Sequence, residues 1–118
     1  MLYFTLDEEH QLQPCSHVLE WALWMAEAGR FGSTTVGDVV LALKDDRVWV
    51  STVFLGTGLA LFETLIETAV TGELLRHPSV VKRYASWEAA IAGHAEQVSF
   101  FEALGYTPLE VSDAAVKD

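Results

Sequence analysis

At 118 residues, with 51% hydrophobic side chains and a mean hydropathy of +0.25, the chain has the size and apolar content of one domain around one core. This composition excludes a disordered chain. The formal net charge of −10 at pH 7 repels nucleic acid and anionic membrane surfaces, and so favours plain solubility or a basic partner.

The longest apolar run is too short to span a bilayer. The opening "MLYFTLDEEH" has no basic n-region, so a signal peptide is not expected. Cys15 is the single cysteine and cannot form an internal disulfide, which fits an intracellular protein. In chain order, "LYFTL" (2–6) reads as a short strand and "DEEHQLQP" as a polar connection. "SHVLEWALWMAEAG" (16–29) predicts a helix capped by Ser16 and stopped by Gly29. Val18, Trp21, Ala22, Met25 and Ala28 recur at helical spacing and are expected to face the core, with Leu19, Leu23 and Ala26 widening that face and Trp24 partly exposed.

A β-hairpin follows, with strands near 38–44 and 47–55 joined by "KDDR". Val48, Val50, Thr52 and Phe54 fall on one face of the return strand, and Trp49, Ser51, Val53 and Leu55 on the other. Both faces are largely apolar, which predicts a central strand covered on much of both sides. Residues 59–70 fit a helix or a strand equally by periodicity. "RHPS" breaks the chain and "VVKRYA" reads as a strand. "SWEAAIAGHAEQVSFFEALGY" predicts a helix with Ser86 as N-cap, Glu88 in the first turn, and a stripe of Trp87, Ile91, His94, Val98 and Phe101. Gly105 is placed as its C′ glycine, with Tyr106 for the hydrophobic cap contact. "TPLEV" adds a short edge strand, and "SDAAVKD" a tail.

The order β-α-β-β-β-β-α, with a short last strand, predicts an α+β fold: a mostly antiparallel sheet with both helices on one face. One domain is expected over 1–111 and a flexible tail over 112–118, with Phe54, Trp49, Trp21, Ile91 and Val98 in the core.

"VSTVFLG" (50–56), "LFET" (61–64) and "RYASWEAAIAGH" (83–94), preceded by "EWALWM", resemble the shared segments of a family of small, uncharacterised phage and prophage proteins, in the same order. The resemblance covers roughly residues 3–98. It departs where "VLALKDDRVW" separates the "GDV" and "VSTVFLG" segments, and where the loop before "LFET" shrinks to "TGLA". The resemblance implies strand for residues 60–68 and a phage-type accessory protein in the cytoplasm of an infected or lysogenic bacterium. It implies no reaction.

No residue set supplies a nucleophile, a metal site or a phosphate loop, so no catalytic residue, cofactor site or metal is assigned. His10, Cys15, His17, His77 and His94 show no ligand spacing. His94 reads as a core or boundary histidine with a satisfied ring nitrogen. Glu63 and Glu67 share a strand face that reads as a solvated sheet edge. Charge distribution is the functional clue. The stretches 16–29 and 86–104 contain no Lys or Arg, yet carry Glu20, Glu27, Glu88, Glu96 and Glu102. These glutamates, with Trp24 as an aromatic anchor, are the expected partner-binding residues.

The sequence thus predicts a non-enzymatic accessory protein. It would bind a host or phage protein with a basic surface, and inhibit a nucleic-acid-targeting defence complex such as CRISPR. No direct nucleic-acid or membrane contact is expected, and a homodimer is compatible. A virion or assembly component is the alternative reading. A small-molecule binder or enzyme with a site near His94 is the third.

Overall fold

The computed structural model describes residues 2–69 and 79–109. They form an α+β fold: a five-stranded antiparallel sheet, a separate two-stranded hairpin and two helices. The hairpin pairs β1 (Tyr3–Leu6) with β2 (Leu12–Cys15), Leu6 opposite Leu12. β2 falls within the stretch that the sequence pattern assigns to a polar connection. Its pattern is weakened by Pro14, which lacks a backbone donor and suits a short edge pairing. Asp7 builds the turn. Its Oδ1 accepts the backbone N–H groups of Glu9 and Gln11 at 2.9 Å each, and its Oδ2 accepts Gln13 Nε2 at 3.1 Å.

Helix α1 (Val18–Arg30) lies slightly later than predicted. His17, not Ser16, is its N-cap, without a side-chain bond, and Gly29 lies inside the helix. The left-handed residue that ends the turn is Gly32, at φ 75°. The buried side of α1 is Trp21, Trp24, Met25 and Ala28, while Val18 and Ala22, expected inward, are exposed. The physical reason is the small area on offer. α1 rests on the β1–β2 hairpin and meets the main sheet through Trp24, whose ring stands edge-on to Phe54 at 5.9 Å.

The main sheet runs β6-β5-β4-β3-β7. β3 (Thr35–Leu43) and β4 (Asp46–Phe54) form the predicted hairpin, closing over Lys44, which is left-handed at φ 57°. β5 (Phe62–Ala69) resolves the helix-or-strand alternative as strand, and β6 (Ser79–Tyr84) follows it. The break expected at "RHPS" lies, up to Ser79, outside the described residues, as do the end of the expected domain and its tail. Val48, Val50, Thr52 and Phe54 of β4 are buried on the inner face, with Leu41, Phe62, Thr64 and Ile66 beside them. Neither helix packs on the outer face. Trp49, Ser51 and Val53 there are half-buried, so among the described residues β4 is central but helix-covered on one side only, and Trp49 is not part of the inner core.

Helix α2 (Trp87–Ala103) crosses the inner face of β3 to β6. Ser86 caps it as predicted, its Oγ accepting the Ala89 N–H at 3.1 Å. Its end is a Schellman motif: Tyr106 N–H donates to Phe101 O at 3.1 Å and Gly105 N–H to Glu102 O at 3.0 Å. Gly105 is left-handed at φ 104°, and the rings of Phe101 and Tyr106 meet at 5.7 Å. β7 (Thr107–Pro108) then pairs with β3. The buried positions of α2 are Ala90 and Gly93, while Ile91 is 49% exposed. The predicted stripe is therefore rotated at Ile91. The helix approaches the sheet on its smallest residues, and a β-branched side chain has no room there. Val98 and Phe101 do pack on the core.

Candidate functional site

The inner face of the sheet holds two separate apolar clusters. One gathers Leu6, Phe54, Phe62, Tyr84 and Ala90. The other gathers Leu41, Val48, Val50 and Ile66. Between them runs a row of polar groups. Thr52 and Thr64 are directly opposed on β4 and β5, both fully buried. Their hydroxyl oxygens are 2.6 Å apart. Thr52 Oγ1 lies 2.8 Å from His94 Nδ1 on α2, and Thr64 Oγ1 lies 3.0 Å from Tyr84 Oη on β6. The row therefore links four elements through the chain His94–Thr52–Thr64–Tyr84.

Local sequence explains how these groups meet. Gly37 lies opposite Thr52, and a Cβ there would come within 2.5 Å of the imidazole Nε2. The absent side chain is the space that the ring occupies. β-Bulges interrupt the register beside both ends of the row, between Thr35 and Gly37 on β3 and where Thr64 and Leu65 meet β6. Such bulges re-aim side chains that would otherwise follow the pleat.

Burial lowers the His94 proton affinity from its ordinary value of 6.5, and Asp38 on β3 pulls it partly back. A neutral ring with its proton on Nε2 lets every hydroxyl in the row donate once. Tyr84 donates to Thr64, Thr64 to Thr52, and Thr52 to Nδ1. Protonation makes Nδ1 a donor and reverses the chain. The Tyr84 hydroxyl then loses Thr64 as its acceptor. Both threonine hydroxyls are beyond the reach of a substrate, so in this conformation the row couples elements and presents no nucleophile.

A pH dependence follows. The unfolded chain binds the His94 proton before the folded chain does. His94 thus contributes stability that is complete above pH 6.5 and is lost as pH falls through its lowered folded value. Urea unfolding between about pH 5 and 8 should show a fall in stability toward acid that is shallower in His94→Gln, whose amide oxygen still accepts from Thr52. Equal slopes in the two proteins would remove His94 as the titrating group.

The expected partner-binding residues sit on two separate helices. Glu20 and Glu27 on α1 and Glu88, Glu96 and Glu102 on α2 are all exposed, and Trp24 is half-buried. Arg30 belongs to the last turn of α1, so that helix is not free of cations. Its Nη1 stands 3.6 Å from Glu27 Oε2. Glu63 is not on a solvated edge. It is buried and accepts Arg83 Nε at 2.8 Å. Among the described residues no three His, Cys, Asp or Glu side chains converge on a metal position, and no helix is long and apolar enough to cross a membrane.

Sequence reasoning placed Thr52 on an apolar strand face and found no nucleophile there, and it gave neither Thr52 nor Thr64 a structural role. Their signal is a hydroxyl on the otherwise apolar side of each of two strands. Sequence reasoning also passed over a surface groove of about 590 Å³ between the β1–β2 turn and α1, where Trp24 and Glu27 meet Asp7, Glu8, His10 and Phe31. Comparison of the chain with protein-family models, curated proteins and solved structures gives no match in any of the three.

Proposed function

We propose that this protein acts by binding another protein through the surface of α1, with a basic partner as the complementary class. The observation that supports this reading is what α1 leaves in solvent. Val18, Leu19 and Leu23 are 54%, 69% and 65% exposed, and Phe31, just beyond the helix, is 73% exposed. A solvating helix carries polar side chains at such positions, whereas clustered apolar groups beside charge mark contact surfaces. Glu20 and Glu27 flank this strip on the side facing the hairpin, as their shared lining with β1 and β2 residues indicates. Charges at the edge of an apolar patch speed association and select partners of opposite sign. Together with the resemblance to phage proteins, this supports a small accessory protein whose target is a host or phage protein with a basic surface. A nucleic-acid-targeting defence complex offers such a surface.

The test is capture from host lysate, identification of the partner by mass spectrometry, and titration of the purified partner. Leu19→Asp/Leu23→Asp is expected to weaken binding by about tenfold or more, since those side chains are already in water and the fold does not need them. Reversing Glu20, Glu27, Glu88, Glu96 and Glu102 to Lys is expected to weaken binding and reduce its salt dependence. Unchanged binding in both variants rules out this surface.

The assembly reading keeps one observation in its favour. β6 is an edge strand on which Val80 and Val81 are 44% and 46% exposed. Capture of capsid or tail proteins alone would favour it.

A further inference from the structure

We infer that the groove between α1 and the β1–β2 turn is a docking site for an arginine side chain presented by an extended segment of a partner protein. The inference deepens the protein-binding reading, on which it rests for the identity of the occupant. It concerns the groove beside the Leu19–Leu23 strip, and the two surfaces share Glu27 and Phe31 at their border.

The groove is lined mainly by apolar groups. Buried Leu6 and Ala28, half-buried Trp24 and exposed Phe31 supply the apolar lining. Its volume of about 590 Å³ exceeds what one arginine side chain needs and suits that side chain with its flanking backbone. Phe31 is 73% exposed, which folding alone does not explain for a large aromatic.

The rim adds the charge. Asp7, Glu8 and Glu27 line the groove, while among the described residues no Lys or Arg does. Their states differ in a useful way. Both Asp7 oxygens are engaged in the turn, Oδ1 twice and Oδ2 once, so Asp7 supplies mainly field and shape. Glu8 is exposed and accepts no hydrogen bond among the described residues. Among the described residues Glu27 meets only Arg30, at a long 3.6 Å, and Arg30 is itself exposed and easily displaced.

Two acceptors over an aromatic and aliphatic lining match a guanidinium. Its plane lies against Trp24 or Phe31, its stem along Leu6 and Ala28, and its fork against carboxylate oxygens. Lysine would satisfy the charge but not the stacking or the fork. A nucleic acid would be repelled by the same carboxylates.

The groove is also held in shape before any ligand arrives. Asp7 ties one end of the turn, and at the other His10 adopts a left-handed φ of 63° and stacks on Trp87 at 3.8 Å with a 4° interplanar angle. A wall fixed in this way has little ordering left to do on binding.

The test is an amide and indole NMR titration at low salt with acetyl-(Arg-Ala)3-amide, alongside the lysine and glutamate counterparts. The expected result is saturable shifts at the Trp24 indole, at Phe31 and at backbone amides of the β1–β2 turn. The lysine peptide should bind several-fold more weakly, and the glutamate peptide should not bind. Glu8→Gln/Glu27→Gln should weaken the arginine peptide by about tenfold, and Phe31→Ala by several-fold, both in folded protein because all three side chains are exposed. Shifts spread evenly over the acidic surface, or affinity unchanged by Glu8→Gln/Glu27→Gln, would overturn the assignment. Leu19→Asp/Leu23→Asp separates the two readings. If it leaves partner binding intact while the peptide titration behaves as expected, the strip reading falls and the groove stands. The opposite pattern removes the groove alone.

Discussion

Replacing Gly93 with valine is expected to cost about 3 kcal/mol of folding stability, read as a lower urea midpoint with little change in slope. Gly93 is buried where α2 crosses β6, and a Cβ built there would overlap the ring and hydroxyl of Tyr84. The far end of that ring is not free to swing aside. Tyr84 is buried within the Phe54–Phe62 cluster and its hydroxyl is bonded to Thr64. The helix must therefore lift from the sheet or the tyrosine must abandon its partner, and each route carries its own penalty. Small domains hold only about 5–15 kcal/mol in total, so the loss is a large part of the whole. A double-mutant cycle identifies the cause. In a Tyr84→Ala background, where the ring is gone, the same valine should cost less than about 1 kcal/mol. A cost that persists undiminished in that background would place the collision elsewhere.

That close approach also explains which parts of the fold the sequence discloses. Elements defined by local chemistry are legible. Ser86 with Ala89 as its bonded partner, Gly105 with the Phe101–Tyr106 contact, and the alternation through Val48, Val50 and Phe54 all follow from neighbours a few residues away. The face that a helix buries is decided by what it meets. On α2 the spacing of large apolar residues selects Ile91, but the sheet opposite is already filled by Tyr84, and Ala90 and Gly93 face it instead. On α1 the spacing selects Val18 and Ala22, while the narrow hairpin accepts only Trp21, Trp24, Met25 and Ala28. The site residues divide in the same way. His94 is visible as a polar side chain on an apolar stripe. Its bond to Thr52 depends on a strand register and a helix placement set by contacts 42 residues apart. The groove depends on β2, which Pro14 hides from a strand pattern.

Thr52→Val is expected to destabilise the fold by about 2–3 kcal/mol, although it removes one oxygen and keeps the shape of the side chain. Thr52 sits in the middle of the polar row, between His94 Nδ1 at 2.8 Å and Thr64 Oγ1 at 2.6 Å. Valine leaves the ring nitrogen of half-buried His94 without its donor, and leaves fully buried Thr64 without its acceptor. A buried polar group left alone loses its hydration with nothing in return. Replacing the whole row gives a different expectation. Thr52→Val, Thr64→Val, Tyr84→Phe and His94→Leu together remove every unmatched partner, and the two apolar clusters on either side become one. That combined variant should recover to within about 1 kcal/mol of the wild-type stability, because paired polar groups in a core contribute little net against apolar replacements of similar shape. What it should lose is uniqueness. The row is a set of directional contacts that fixes β4 against β5 and sets α2 over Gly37, whereas an apolar surface permits sliding. Amide spectra should then show broadened signals along α2, and hydrogen exchange there should quicken although the global unfolding free energy is kept. If the combined variant instead loses as much stability as Thr52→Val alone, the row is a stabilising element in its own right and its registering role is wrong.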